Sequence, residues 1–140
     1  MPDVTLAPAW TALFLGLFAF FAGIGEFRKP GHWQTLIEEI VASPALQLAT
    51  GLLELFLGAV IYIANPWASP DWLSSALSVV GGLMCIEALM VLAFSDVYMA
   101  FWVRRFGPLS KLWCCCSIVI GLALIVVSML HFSGMLTALT

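Results

Sequence analysis

Apolar residues form four long runs along the chain, and short segments between these runs hold most of the polar residues. The runs cover about residues 8–27, 44–64, 72–94 and 108–130. Each is close to the 20 or so residues that a helix needs to cross a bilayer. They are continuously apolar rather than alternating, which favours helices over the strands of a membrane barrel. Because lipid offers no hydrogen-bond partner to a free backbone, we predict four transmembrane helices in one membrane domain, residues 1–140.

A fifth and shorter segment, residues 32–43, has an amphipathic pattern. Apolar residues recur on one face at helical spacing, and polar residues fall largely on the other. The two sets are Trp33, Leu36, Ile37, Ile40 and Val41, and Gln34, Glu38 and Glu39. This pattern predicts a short helix lying in the membrane interface. The predicted fold is therefore all-α, a polytopic membrane protein with four transmembrane helices plus this interfacial helix. Since only Gly81-Gly82 interrupts residues 72–106, we also expect the third helix to be able to extend beyond the membrane.

The composition supports lipid as the main solvent. Hydrophobic residues make up 63% of the chain and charged residues 9%, whereas soluble domains carry roughly 25% charged residues. Five Lys and Arg residues and a net charge of -3 offer no surface that could follow nucleic-acid phosphates. A nucleic-acid partner is therefore excluded, and the lipid bilayer is the first expected partner.

The positive charges all fall after the first or the third run, or just inside the fourth. They are Arg28, Lys29, Arg104, Arg105 and Lys111. The positive-inside rule makes that side cytoplasmic. We therefore predict a multi-pass protein of the cell inner (plasma) membrane, with both termini and the 65–71 segment on the non-cytoplasmic side. Both halves of the chain follow the same plan of a span, a basic turn, a proline and a second span, so any internal repeat would be parallel.

Small residues recur at three- and four-residue spacing in each run, and such stripes mark where membrane helices pack. The stripes include Gly16 and Gly23 in the first run, Gly51 and Gly58 in the second, Gly81 or Gly82 in the third, and Ser117, Gly121 and Ser128 in the fourth. The same faces carry polar side chains that would point into the bundle interior, namely Glu26, Gln47, Glu54, Asp96 and Lys111. Glu54 lies at mid-span and the other four lie at the cytoplasmic ends. We predict a polar vestibule that is open to the cytoplasm and ends at Glu54.

Glu87 lies near the depth of Glu54, but its helical angle places it away from the small-residue stripe. It meets Glu54 across the bundle if the third helix is rotated, and otherwise it points outward to an oligomer contact or a partner subunit. An ionised carboxylate at mid-bilayer costs at least about 2.5 kcal/mol on insertion scales, so such residues are candidate functional sites by default. Structural hydrogen bonding between helices is the alternative interpretation for both acids.

Sequence patterns typical of catalysis, metal binding or cofactor binding are not found. Cys114, Cys115 and Cys116 are about 100° apart in turn on a helix, so they cannot converge on one ion, and packing is the favoured interpretation. His32 and His131 lie at opposite ends of the spans. We therefore expect no catalytic residues, no metal site, no cofactor and no enzymatic activity.

The glycine-rich stretch of residues 16–27, followed by Gly51-Leu-Leu-Glu54-Leu-Phe-Leu-Gly58, resembles the first half of DoxX-type four-helix membrane proteins. The resemblance covers about 45 residues, and the second half departs from it. The chain also resembles small uncharacterised four-span proteins of bacterial inner membranes. Both resemblances imply a four-helix fold, and neither implies a substrate.

Two functions remain open from the sequence. The leading hypothesis is a small membrane protein that binds or conducts a proton or small cation at a mid-membrane carboxylate. The alternative is a non-transporting accessory or assembly subunit of a larger membrane complex. In either case we expect a homo-oligomer or a complex with another membrane protein.

Overall fold

The computed structural model describes residues 6–67 and 71–139, with side chains except those of 106–108 and 135–139. Within these ranges the regular elements are all helices: α1 (Ala7–Arg28), α2 (His32–Ala42), α3 (Pro44–Ala64), α4 (Trp72–Ala93) and α5 (Ser95–Leu139). Four segments are long and apolar enough to cross a membrane, namely Ala7–Arg28, Pro44–Ala64, Trp72–Ala93 and Leu109–Gly134. The all-α fold is confirmed, and these four segments match the predicted spans in length and apolar character, with ends that differ by a few residues.

The third helix does not continue beyond the predicted span, although the sequence allows such an extension. α4 ends at Ala93, and Phe94 leaves the helical conformation with φ -132° and ψ 42°. Ser95 then begins α5, which continues into the fourth span. The ring centroids of Trp102 and Trp113 are only 6.1 Å apart, whereas a straight helix would separate the two residues by about 16 Å along its axis. α5 therefore bends between these two tryptophans.

The helices pack as two antiparallel pairs, α1 with α5 and α3 with α4, and contacts between the two pairs are much sparser. Glycines let the backbones touch in each pair. A Cβ atom built on Gly16 would lie 2.9 Å from the carbonyl oxygen of Gly121, and one built on Gly58 would lie 2.9 Å from that of Gly81. The predicted glycine stripes are thus the contact faces of the two pairs.

The contacts of the two pairs correspond to each other. The Gly16–Gly121 contact of α1–α5 matches the Gly81–Gly58 contact of α4–α3. Gly81 lies 65 positions after Gly16, and Gly58 lies 63 positions before Gly121. A second match involves one polar contact in each half of the chain, at corresponding positions. The Trp33 indole N–H donates to the carbonyl oxygen of Ala22, and the Tyr98 hydroxyl donates to Glu87. Tyr98 and Glu87 each lie 65 positions after their counterparts Trp33 and Ala22.

These matched contacts are those of a parallel repeat with its twofold axis along the bundle. α1 corresponds to α4, α3 corresponds to the second part of α5, and α2 corresponds to the first part of α5. The segment that precedes Leu109 is therefore the counterpart of the short helix α2.

Candidate functional site

Glu54 and Glu87 meet within the α3–α4 pair. Glu54 lies ten residues after the start of α3, and Glu87 lies six residues before the end of α4. Side chains on a helix lean toward its N-terminus. Because the two helices are antiparallel, these side chains lean toward each other, and their carboxyl groups lie within hydrogen-bonding reach. Both residues are half-buried. Of the two orientations open for Glu87 in the sequence, the structure has the one that faces Glu54.

Tyr98 joins the two acids from the start of α5. Its hydroxyl group donates a hydrogen bond of 2.5 Å to Oε1 of Glu87. Burial, together with this bond to Glu87, raises the pKa of Tyr98 to about 12. The phenol therefore stays a hydrogen-bond donor throughout the physiological pH range. We refer to Glu54, Glu87 and Tyr98 as the acid cluster.

Two carboxyl groups this close do not both ionise readily. At an effective dielectric constant of 20, two unit charges 4 Å apart repel by about 4 kcal/mol. Such pairs can hold one shared proton or a bound cation between them. The acid cluster therefore brings together the kind of groups that a shared proton or a small cation requires.

Glu26 has a different role from the one predicted. It is 5% exposed, and its two carboxylate oxygens accept the backbone N–H groups of Gly31 and Trp33, each at 2.8 Å. Gly31 has a φ of 87° at the N-cap of α2. A carboxylate at the N-terminus of a helix accepts hydrogen bonds from the free backbone N–H groups there, and its negative charge interacts favourably with the helix dipole. Glu26 thus anchors α2 to α1, and it does not join the acid cluster.

The three remaining predicted residues also lie outside the acid cluster. Gln47 Nε2 donates to the carbonyl oxygen of Val41 in the last turn of α2, at 2.9 Å. Asp96 is exposed in the first turn of α5, and Lys111 is exposed as well. The predicted vestibule of five converging polar groups is therefore wrong, because helix angle alone does not fix how each helix is rotated or where it is broken.

The cysteines do not form a cluster. Cys114 is buried, and its Sγ donates to the carbonyl oxygen of Gly23 at 3.1 Å, whereas Cys115 and Cys116 are exposed. Cys85 contacts the carbonyl oxygen of Leu55 from another helix. In the part of the chain that the structure describes, no three His, Cys, Asp or Glu side chains are grouped so that they could hold a metal ion.

Tyr98 is the member of the acid cluster that the sequence did not reveal. It comes three residues after the start of α5, in a stretch that reads as the end of the third span. The break at Phe94 changes the direction of the chain, and only that break brings Tyr98 back to Glu87. A lone tyrosine near a membrane interface carries no such signal, because tyrosines are common there.

Comparison of the chain with protein families, curated proteins and solved structures finds no match. The resemblance of the first half to DoxX-type proteins therefore stays a prediction from the residues that carry it. The functional argument rests on the chemistry of the acid cluster.

Proposed function

We propose that this protein is a small multi-pass membrane protein that binds or conducts a proton or small cation at the acid cluster. The observation that carries the proposal is the contact of Glu54 with Glu87, extended by Tyr98, between helices long and apolar enough to span a bilayer. Ionisable residues at this depth are costly to insert, and they mark ion and proton pathways in many membrane proteins.

The depth of the three groups supports access from one side. At 1.5 Å per residue, Glu54 lies about 15 Å from the start of α3 and Glu87 about 9 Å from the end of α4. Tyr98 follows the end of α4, so the three groups form a ladder from mid-span toward the end of the bundle that carries the arginines and lysines. We take this end to be cytoplasmic by the positive-inside rule, with both termini and the 65–71 segment on the opposite side.

The α3–α4 pair is closed just beyond the acid cluster on the opposite side. Gly58, one turn after Glu54, touches the backbone of Gly81 so closely that a methyl group would not fit. A proton or cation would therefore enter the acid cluster from the cytoplasmic side. Its passage across the membrane would require this glycine contact to open.

Glu54→Gln tests the proposal, because glutamine keeps the shape and the hydrogen bonding but cannot titrate. The purified protein is reconstituted in liposomes, and proton uptake is followed with an interior pH dye under an imposed potential. We expect proton-linked flux or binding to be lost in Glu54→Gln and retained in the exposed control Glu39→Gln. Undiminished flux in Glu54→Gln would contradict the proposal.

A role as an accessory or assembly subunit is the second candidate, and the sparse packing between the helix pairs favours it. Only 17–28% of each candidate span is buried within the chain, which leaves wide apolar surfaces for a second copy or another membrane protein. In that case Glu54→Gln would change neither flux nor binding, and co-purification of a stable partner would identify the role.

A further inference from the structure

A cavity of about 210 Å³ lies between α1, α2 and α5. It occupies the position in the first helix pair that the acid cluster occupies in the second. Ala22, Trp33 and Ser117 line it, and the repeat relates them to Glu87, Tyr98 and Glu54. The same location thus holds carboxyl groups in one half of the chain and an apolar space in the other.

Four of the polar side chains that border the cavity already have hydrogen-bond partners within the protein. Ser117 donates to the carbonyl oxygen of Ala19 at 2.6 Å, and Cys114 donates to that of Gly23. The Trp33 indole donates to Ala22, and both oxygens of Glu26 accept backbone N–H groups of α2. Because these bonds are made within the protein, the cavity favours an apolar occupant.

The cavity is also large enough for such an occupant and open to the surrounding lipid. An engineered apolar cavity of about 150 Å³ holds a benzene molecule, so this cavity has room for a longer apolar group. Phe18 and Trp113 border it and are 67% and 41% exposed. The cavity can therefore be reached from the side, within the half of the bilayer nearest the cationic end.

A cation lines a second cavity that adjoins this one near the start of the fourth span. This second cavity, of about 270 Å³, shares Glu26, Ser110 and Cys114 with the first, and Lys111 lines it. Lys111 is exposed and makes no ion pair with the residues that the structure describes. An apolar space with a free ammonium group at its mouth complements a molecule with an apolar tail and an anionic head.

We infer that the cavity between α1, α2 and α5 binds one acyl chain of an anionic phospholipid, whose phosphate is held by Lys111. The lipid would fill the space that the first helix pair leaves open and would tie α2 to α5. This site is separate from the acid cluster and does not depend on the proposed ion binding.

The test measures lipid retained by the full-length protein after purification from vesicles of equal parts phosphatidylglycerol and phosphatidylcholine, by native mass spectrometry. Ala22→Leu fills the cavity, and Ala123→Leu adds the same bulk at an exposed position of α5. Lys111→Gln removes the charge at the mouth, and Lys29→Gln removes an exposed cation that does not line either cavity.

We expect one tightly retained phosphatidylglycerol in the parent, in Ala123→Leu and in Lys29→Gln, and loss of it in Ala22→Leu. In Lys111→Gln the preference for phosphatidylglycerol over phosphatidylcholine should fall about fivefold, since one Lys near an anionic headgroup contributes about that factor. Equal retention in Ala22→Leu and the parent would overturn the inference. Retention of both lipids without headgroup preference in the parent would also overturn it. The same holds if the apolar cation tetraphenylphosphonium displaces the lipid and Glu26→Gln abolishes this displacement, because the cavity would then be a site for cations.

Discussion

The two helix pairs share one packing plan and differ in what they place at equivalent positions. In α1–α5, small donors satisfy backbone carbonyls across the interface, as when Ser117 donates to Ala19 at 2.6 Å. In α3–α4, the same depth holds two carboxyl groups that contact each other and Tyr98. The first pair uses its polar groups to hold helices together, whereas the second places titratable groups inside the bundle at a cost in insertion energy.

This difference shows that the close packing of helices at the glycines does not depend on the acidic residues of the acid cluster. Gly16–Gly121 and Gly58–Gly81 bring the helices together in both pairs, so close packing does not require the acids. The acids are an addition to one copy of a repeated scaffold. Changes at the glycines should therefore affect stability in both pairs, and changes at the acids should affect titration in one.

Substitution of the contact glycines should have the largest effect. A Cβ atom on Gly121 would lie 2.5 Å from the backbone nitrogen of Phe20, and one on Gly81 would lie 2.7 Å from that of Tyr62. Because backbone atoms cannot move aside, Gly121→Ala and Gly81→Ala should each lower the free energy of unfolding by about 2–3 kcal/mol. Unfolding by SDS titration in mixed micelles measures this.

Gly82→Ala is the matched control for the glycines. Its Cβ atom would meet only the Tyr62 ring at 3.6 Å, an ordinary contact, so the variant should unfold like the parent. Equal losses of unfolding free energy in Gly82→Ala and Gly81→Ala would show that the close backbone contact of Gly81 is not the cause of the loss.

Removal of a carboxyl group from the acid cluster should have the next largest effect on stability. Glu87→Leu leaves Glu54 and Tyr98 without their partner, and an unsatisfied polar group costs about 1–3 kcal/mol when it is buried. Glu87→Gln keeps an acceptor and a donor at the same place and should cost less than about 1 kcal/mol. If SDS titration gives the same loss for both variants, the carboxyl pair does not hydrogen-bond as described.

The titration of Tyr98 distinguishes the pairs spectroscopically. A pKa raised to about 12 means that the neutral phenol is favoured in the folded protein. Its stabilising contribution is fully present below pH 10 and is lost as the pH rises through about 12. In a Tyr62→Phe background, absorbance at the tyrosinate band should show a midpoint near 12, and Glu87→Gln should move that midpoint toward 10. A midpoint that Glu87→Gln leaves in place would contradict the contact.

A single hydroxyl of the α1–α5 pair should have the smallest effect. Ser128 is fully buried and donates to the carbonyl oxygen of Ala9 at 2.7 Å. Hydrogen bonds between membrane helices contribute about 0.6 kcal/mol on average. Ser128→Ala should therefore lower the free energy of unfolding by about that amount. The exposed Ser133, which bonds within its own helix, should give no measurable change on substitution by alanine. A loss above about 2 kcal/mol in Ser128→Ala would show that this bond is stronger than the average.

The sequence predicted the spans and the packing faces well, because both follow from local patterns. Length and hydropathy mark the helices, and Gly16, Gly58 and Gly121 mark close approach. The choice of partner helix and the rotation of α4 do not follow from such patterns, because an almost uniformly apolar helix has no polar face to orient it. The sequence therefore leaves two directions open for Glu87, and it favours the interior for Asp96, which the structure shows to be exposed.

The pairing of the first span with the last has a consequence for the order of assembly during synthesis. Gly16 and Gly121 are separated by about a hundred residues, so α1 enters the bilayer long before its partner is made. The α3–α4 pair joins helices that are neighbours along the chain and can associate as soon as both are inserted. The acid cluster is completed only when Tyr98 follows. Closure of the bundle is thus a long-range event that waits for the final helix, and a chain that stops before α5 would leave the glycine face of α1 exposed to lipid.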